Sequence, residues 1–142
     1  MGSLARAGFF VLALPLIARA ACRCVFWERR LPLDELVERL RRTQPLRLRV
    51  IARPEWLLAS LDRLLPLLPP WRYGRCLKRS LLLLDLWSRC GLRPRLHLGV
   101  RREGEGRHQG HAWVTVEAQQ GAAPGGPSLA TSAQGYREAF EL

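Results

Sequence analysis

Apolar residues recur at helical spacing through the first ninety positions and alternate with polar ones after position 94. The pattern starts with an apolar run from Ala7 to Ile17, behind Arg6 and ahead of Ala18-Arg19-Ala20. That layout has the outline of a secretory signal peptide. The run is short for a bilayer span and is interrupted by Pro15 and Arg19. The preferred reading is an amphipathic first helix continuing through Cys22, Val25, Phe26 and Trp27, with Arg19, Arg23, Arg29 and Arg30 to one side. Such a helix packs on the domain or lies on an anionic membrane surface.

Leu33, Leu36, Val37 and Leu40 mark a second helix between Leu31 and Arg42. Asp34 and Glu35 fall in its first turn, and Arg39, Arg41 and Arg42 in its last, which complements the helix dipole at both ends. Thr43 to Ala52 reads as a linker or short strand. Pro54 suits the first position of a third helix, whose apolar side is Trp56, Leu57, Leu58, Leu61, Leu64 and Leu65, and Pro66, Pro69 and Pro70 end it. The fourth helix begins at Cys76, runs through Leu81 to Leu84, Leu86 and Trp87 to Cys90, and stops at Gly91. Being apolar over most of its surface, it belongs at the centre.

Arg95 to Val100 and His111 to Glu117 alternate as the two strands of a hairpin, with Glu103-Gly104-Glu105-Gly106 as the turn. Gly121 to Pro127 is loop, Ser128 to Gln134 holds a short third strand, and Tyr136 to Leu142 is a tail with no assigned structure. Helices first and an antiparallel sheet afterwards predict an α+β domain, its helical N-terminal half packed on a small antiparallel sheet. Residues 1–70 form the helical region and 71–142 the core, within one compact domain.

The 142 residues are 48% hydrophobic and 25% charged, a globular composition. Net charge is +11, and Lys78 is the only lysine among 23 basic residues. Arginine in place of lysine throughout is the mark of a GC-rich genome and points to a bacterial source. The charge suits an anionic membrane or an acidic peptide; nucleic acid is set aside, because no aromatic–glycine signature or zinc-finger spacing accompanies it. Cys22, Cys24, Cys76 and Cys90 form no secreted disulfide framework and have no metal-type spacing, so reduced thiols in the cytoplasm are expected, with no metal. No P-loop is present and no cofactor is expected.

One pair carries chemistry. Cys76 starts a helix beside Arg75, Lys78 and Arg79, and His111 starts a strand. A helix N-terminus flanked by cations favours a thiolate, and an imidazole takes up and returns the proton. Cys76 is therefore the expected nucleophile and His111 its base.

The blocks Cys76-Leu77-Lys78-Arg79-Ser80-Leu81-Leu82-Leu83, Gly91-Leu92, Leu96-His97-Leu98-Gly99-Val100 and His111-Ala112-Trp113-Val114-Thr115-Val116-Glu117 resemble the transglutaminase-like peptidases of lasso-peptide maturation. The likeness is to the stand-alone protease of split leader-processing systems, of the microcin J processing type, and it covers Cys76 to Glu117. It implies a papain-like cysteine protease core that removes the leader from a ribosomally made precursor peptide through a Cys76 thioester. It also implies two partners: a small winged-helix leader-recognition protein, and an asparagine-synthetase-like cyclase acting on the freed core.

The family's third residue is an aspartate that orients the imidazole. Here the corresponding region reads Ala130-Thr131-Ser132, so Gln134, Ser132 or Thr131 takes that place, or the triad is incomplete. Glu117 shares the face of His111 but lies six strand steps, about 20 Å, along it. Asp85 serves only if the fold brings it there. Trp113, on the face of His111, walls the cleft or packs in the core. Cys90, His97 and His108 read as residues without a chemical role. The alternative to a peptidase is a non-catalytic module of the same fold that binds a peptide partner or a membrane.

Overall fold

The computed structural model describes residues 3–43, 45, 53–69, 71–103, 107–116 and 137–141. Helix α1 covers Ser3–Glu28, α2 Leu33–Arg41, and α3 Pro54–Leu64, which tightens into a 3-10 turn over Leu65–Leu67. Helix α4 is Arg75–Arg89; strands β1, β2 and β3 are Pro94–Glu103, Arg107–Val116 and Arg137–Glu141. This is the expected α+β order.

α4 is the centre. Ten consecutive residues from Ser80 to Arg89 are buried, because α1, α2 and α3 cover its sides and β1 and β2 close the rest. A single apolar core runs from Ala13 and Ile17 of α1, through the leucines of α4, to Leu96, Ala112 and Val114 of the sheet. α4 ends where its sequence says it must. Gly91 takes φ +77°, its N–H reaches the Ser88 carbonyl at 3.0 Å, and the Leu92 N–H reaches that of Trp87 at 3.1 Å. That pair of bonds closes the helix C-terminus, and only glycine enters the left-handed region there without cost.

Two expectations change. The α1 arginines do not all stay on the outside: Arg23 turns inward to Asp85 at 3.4 Å, while Arg19, Arg29 and Arg30 are exposed. Nor do Pro15 and Arg19 leave the apolar run too short for a bilayer: Gly8–Glu28 is one helix, long and apolar enough to cross. Pro15 lies on the outer side, so the carbonyl it leaves unpaired, that of exposed Val11, faces water.

The tail, left without structure on sequence grounds, supplies β3. The sheet order is β2-β1-β3, all antiparallel, with a register shift at Leu98/Gly99. The strand expected at 128–134 lies outside the described residues.

A buried ionic group ties α4 to the front of the chain. Asp85, fully buried, accepts from Arg89 Nε at 2.9 Å and Thr43 Oγ1 at 3.1 Å, and Arg23 donates to that same hydroxyl at 3.2 Å. Asp85 is thus committed to structure, away from the residues that line the cleft described next.

Candidate functional site

α4 begins at a glycine. Gly74 is its N-cap, and the Lys78 N–H, bonded to the Gly74 carbonyl at 3.0 Å, is the first to close the ladder. The N–H groups of Arg75, Cys76 and Leu77 therefore have no acceptor within the helix and point out of its end. No acidic residue occupies this first turn.

Cys76 and His111 line one cleft of about 480 Å³, together with Asp62, Leu65, Arg75, Arg79, Gln109 and Gly110. Cys76 comes from the helix N-terminus and His111 from β2, and both are half-buried. Within the sheet His111 lies opposite Gly99. The strand's alternation sends Ala112 and Val114 into the core and leaves His111, Trp113 and Thr115 on the other face.

The cations around Cys76 differ from the expected set. Arg79 is held by Asp62 through two hydrogen bonds, Nε at 2.6 Å and Nη2 at 2.9 Å, so its charge is matched. Lys78 is not in the cleft. Its ammonium is buried, donates to the carbonyls of Leu68 at 3.2 Å and Pro69 at 2.7 Å, and lies 5.2 Å from the Trp71 ring centre. Burial pushes the Lys78 pKa below its usual value, opposed by the Glu28 carboxylate and helped by Arg75. Among the described residues Arg75 alone brings an unmatched positive charge to the cleft.

Trp113 does not line the cleft. Its ring stacks at 6.1 Å on His111 and at 5.5 Å on His97, its partner across the strands. His97 Nε2 and Thr115 Oγ1 are 2.7 Å apart, and His97 is buried, so the residue set aside as without a role props the indole from behind. The sequence reading missed Asp62, Leu65, Gln109 and Gly110. Asp62 had one available signal, as the only acid between Glu55 and Asp85 in a basic stretch.

Gln134, Ser132, Thr131 and Glu117 lie outside the described residues, as does the His108 side chain. All four cysteines are free thiols. Burial pushes the Cys90 thiol up to about 12, with Glu55 adding, and Cys24 well above the usual thiol range, with Asp85 adding. Neither is a competing nucleophile. Among the described residues no group of three or more metal-ligating side chains gathers.

Residues 13–139, from the middle of α1 into β3, match the model of one protein family, the transglutaminase-like superfamily. Comparisons with curated proteins and with solved structures find no match.

Proposed function

The chain belongs to the transglutaminase-like superfamily, which includes cysteine peptidases, and from that premise we propose that it is a peptidase that removes the leader from a lasso-type ribosomal precursor peptide. The observation that carries the reading is the shared cleft: a thiol at a bare helix N-terminus and an imidazole on the facing strand.

In this reading His111 takes the thiol proton and the Cys76 sulfur attacks the carbonyl at the leader–core junction. The tetrahedral oxyanion is met by the outward N–H of Cys76 and the positive end of α4. His111 returns the proton to the departing amine as the C–N bond breaks, leaving the leader as a thioester. Water, deprotonated by His111, hydrolyses the thioester and regenerates the thiol. Arg75 supplies charge without being consumed. The stacked Trp113, backed by His97, holds the imidazole plane. Gln134, Ser132 or Thr131 is the candidate for the ring's second nitrogen. A winged-helix recognition protein presents the leader, and the freed core amine passes to an asparagine-synthetase-like cyclase.

The test is incubation of the full chain with recognition protein and precursor, followed by mass spectrometry of the products. The expected result is leader release, falling by on the order of 10³-fold or more in Cys76→Ala. Equal processing by that variant removes Cys76 as nucleophile. Leader bound but never cut by wild type makes the chain a binding module.

A further inference from the structure

α1 has one face in the core and the other in the open. Ala13, Ile17, Ala20, Ala21 and Cys24 are buried, and at 3.6 residues per turn they fall within one half of the helix circumference. The opposite half carries Val11, Pro15, Ala18, Cys22 and Phe26, all exposed, with Leu12 beside them. Val11 is 62%, Leu12 59% and Phe26 48% exposed, far more than isolated surface leucines would need explaining. From Val11 to Phe26 this stripe is about 22 Å long at 1.5 Å per residue.

Charge along the exposed side of α1 itself has one sign. No acid falls between Gly8 and Trp27, and the exposed charges are Arg19, Arg29 and Arg30, with the Arg30 guanidinium 3.7 Å over the Phe26 ring. Glu28 at its end is buried, and the exposed acids nearest the stripe, Asp34, Glu35 and Glu38 of α2, lie across a second cleft that Cys22 and Phe26 border on the α2 side. Alongside runs a groove of about 590 Å³ between this face and Leu68, Pro69 and Trp71. Leu67 next to it is 79% exposed. Apolar bodies ringed by arginine, with a tryptophan at the edge, match the boundary between acyl chains and anionic headgroups.

Gly8–Glu28 is long and apolar enough to cross a bilayer, with a mean hydropathy of 1.9. Its inner face argues against crossing. Cys24 is fully buried and Arg23 is engaged with Asp85 and Thr43, so a spanning position would strip the core and take one of its two arginines from the buried Asp85. We infer that α1 lies along an anionic membrane surface, its outer stripe in the headgroup boundary and Arg19, Arg29 and Arg30 on lipid phosphates, while the domain stays folded above it. The net charge of +11 steers the approach.

The experiment is flotation of the full chain with phosphatidylcholine vesicles and with phosphatidylcholine–phosphatidylglycerol vesicles. Wild type floats with the anionic vesicles and not the neutral ones, added salt weakens the association, and alkaline carbonate strips it off. Leu12→Glu with Phe26→Glu, and separately Arg29→Glu with Arg30→Glu, each lower the vesicle-bound fraction by about tenfold. Far-UV circular dichroism and melting of both variants check that the domain is intact. If the first pair misfolds, a solvatochromic dye on Cys22 in a Cys76→Ala background gives the same answer without altering the stripe's charge, through a blue shift on anionic vesicles. Four outcomes overturn the inference: no flotation of wild type, equal flotation of folded variants, retention after carbonate as for a spanning helix, or a dimer that the stripe variants split into monomers.

Discussion

Helices α2 and α4 are both packed on one core and both close on arginine, yet they open on opposite charges. α2 opens on Asp34 and Glu35 and closes on Arg39 and Arg41, acids at the positive end and bases at the negative end. α4 opens on Arg75, Lys78 and Arg79 with no acid. An exposed cation at a helix N-terminus is unfavourable by ~0.3–1 kcal/mol. The fold relieves this unevenly: Lys78 turns to two carbonyls, Arg79 is matched by Asp62, and Arg75 is left. α2 is therefore charged for its own stability. The N-terminus of α4 instead leaves an opening for negative charge, which a thiolate or an oxyanion would fill.

The comparison breaks hardest at the far end of α4. Asp85→Ala removes the acceptor of Arg89, a 4% exposed guanidinium that already has one buried nitrogen without a partner. The expected loss is about 3–5 kcal/mol of unfolding free energy. On α2 the Glu38 pairs with Arg41 at 3.3 Å and Arg42 at 3.5 Å are exposed, and Glu38→Ala costs about 0.5 kcal/mol or less. Urea unfolding of both variants measures the contrast. Equal losses would mean that burial is not what separates the two helices.

The cysteines at the two ends of α4, Cys76 in its first turn and Cys90 at its C-cap, differ next. With its thiol at about 12, Cys90 is roughly one part in 10⁴ thiolate at pH 8, and Cys24 less still. Iodoacetamide at pH 8 should modify Cys22 and Cys76 and leave Cys90 and Cys24 intact, at rates separated by about 100-fold or more. Peptide mapping reads the result. Cys90 reacting as fast as Cys76 would erase the distinction between the ends of α4.

Giving α4 the kind of start that α2 has is a milder change. A Cβ at Gly74 meets nothing within 4 Å and its φ is −59°, so Gly74→Asp fits. It should stabilise the fold by about 0.5–1 kcal/mol through capping and the dipole. The same carboxylate should slow alkylation of Cys76 and any peptide cleavage several-fold. Faster alkylation in a stabilised variant would contradict the assignment of that helix end to a negative charge.

The sequence made most of this legible where a residue type decides the geometry. Leucine spacing set the helices, alternation set the hairpin, and Gly91 marked the end of α4 because few other residues adopt its φ. β3 was not legible: five residues between charged ends become a strand only by pairing with β1. Cys76 and His111 stood out by position, whereas Asp62 did not, since a lone carboxylate on a helix reads as solvated until α3 meets α4. Lys78 was misassigned for a reason that helix geometry contains. Two residues on from Cys76 is about 200° around the helix, so the two side chains leave on opposite sides. Arg79, three residues on, stays with the thiol, and it is the one that lines the cleft.

Lys78 gives the finest test of the comparison, one read as a slope. Its folded pKa is lowered from the ordinary 10.5, mainly by burial, so the folded state resists the charged form. Between the folded and unfolded values the unfolded chain binds more protons, and stability then rises with pH. The penalty is therefore full below the folded pKa and relieved as pH climbs through it toward 10.5. Subtracting the stability of Lys78→Met from that of wild type cancels every other titration. The difference should move in favour of wild type as pH rises through that window. Arg39→Met on α2, an exposed guanidinium stacked 4.1 Å over Trp27, should give a flat difference over the same range, because arginine stays charged in both states. A flat line for both would mean that the Lys78 ammonium, despite its bonds to Leu68 and Pro69, is as well solvated as the arginine and that the first turn of α4 carries no buried cation.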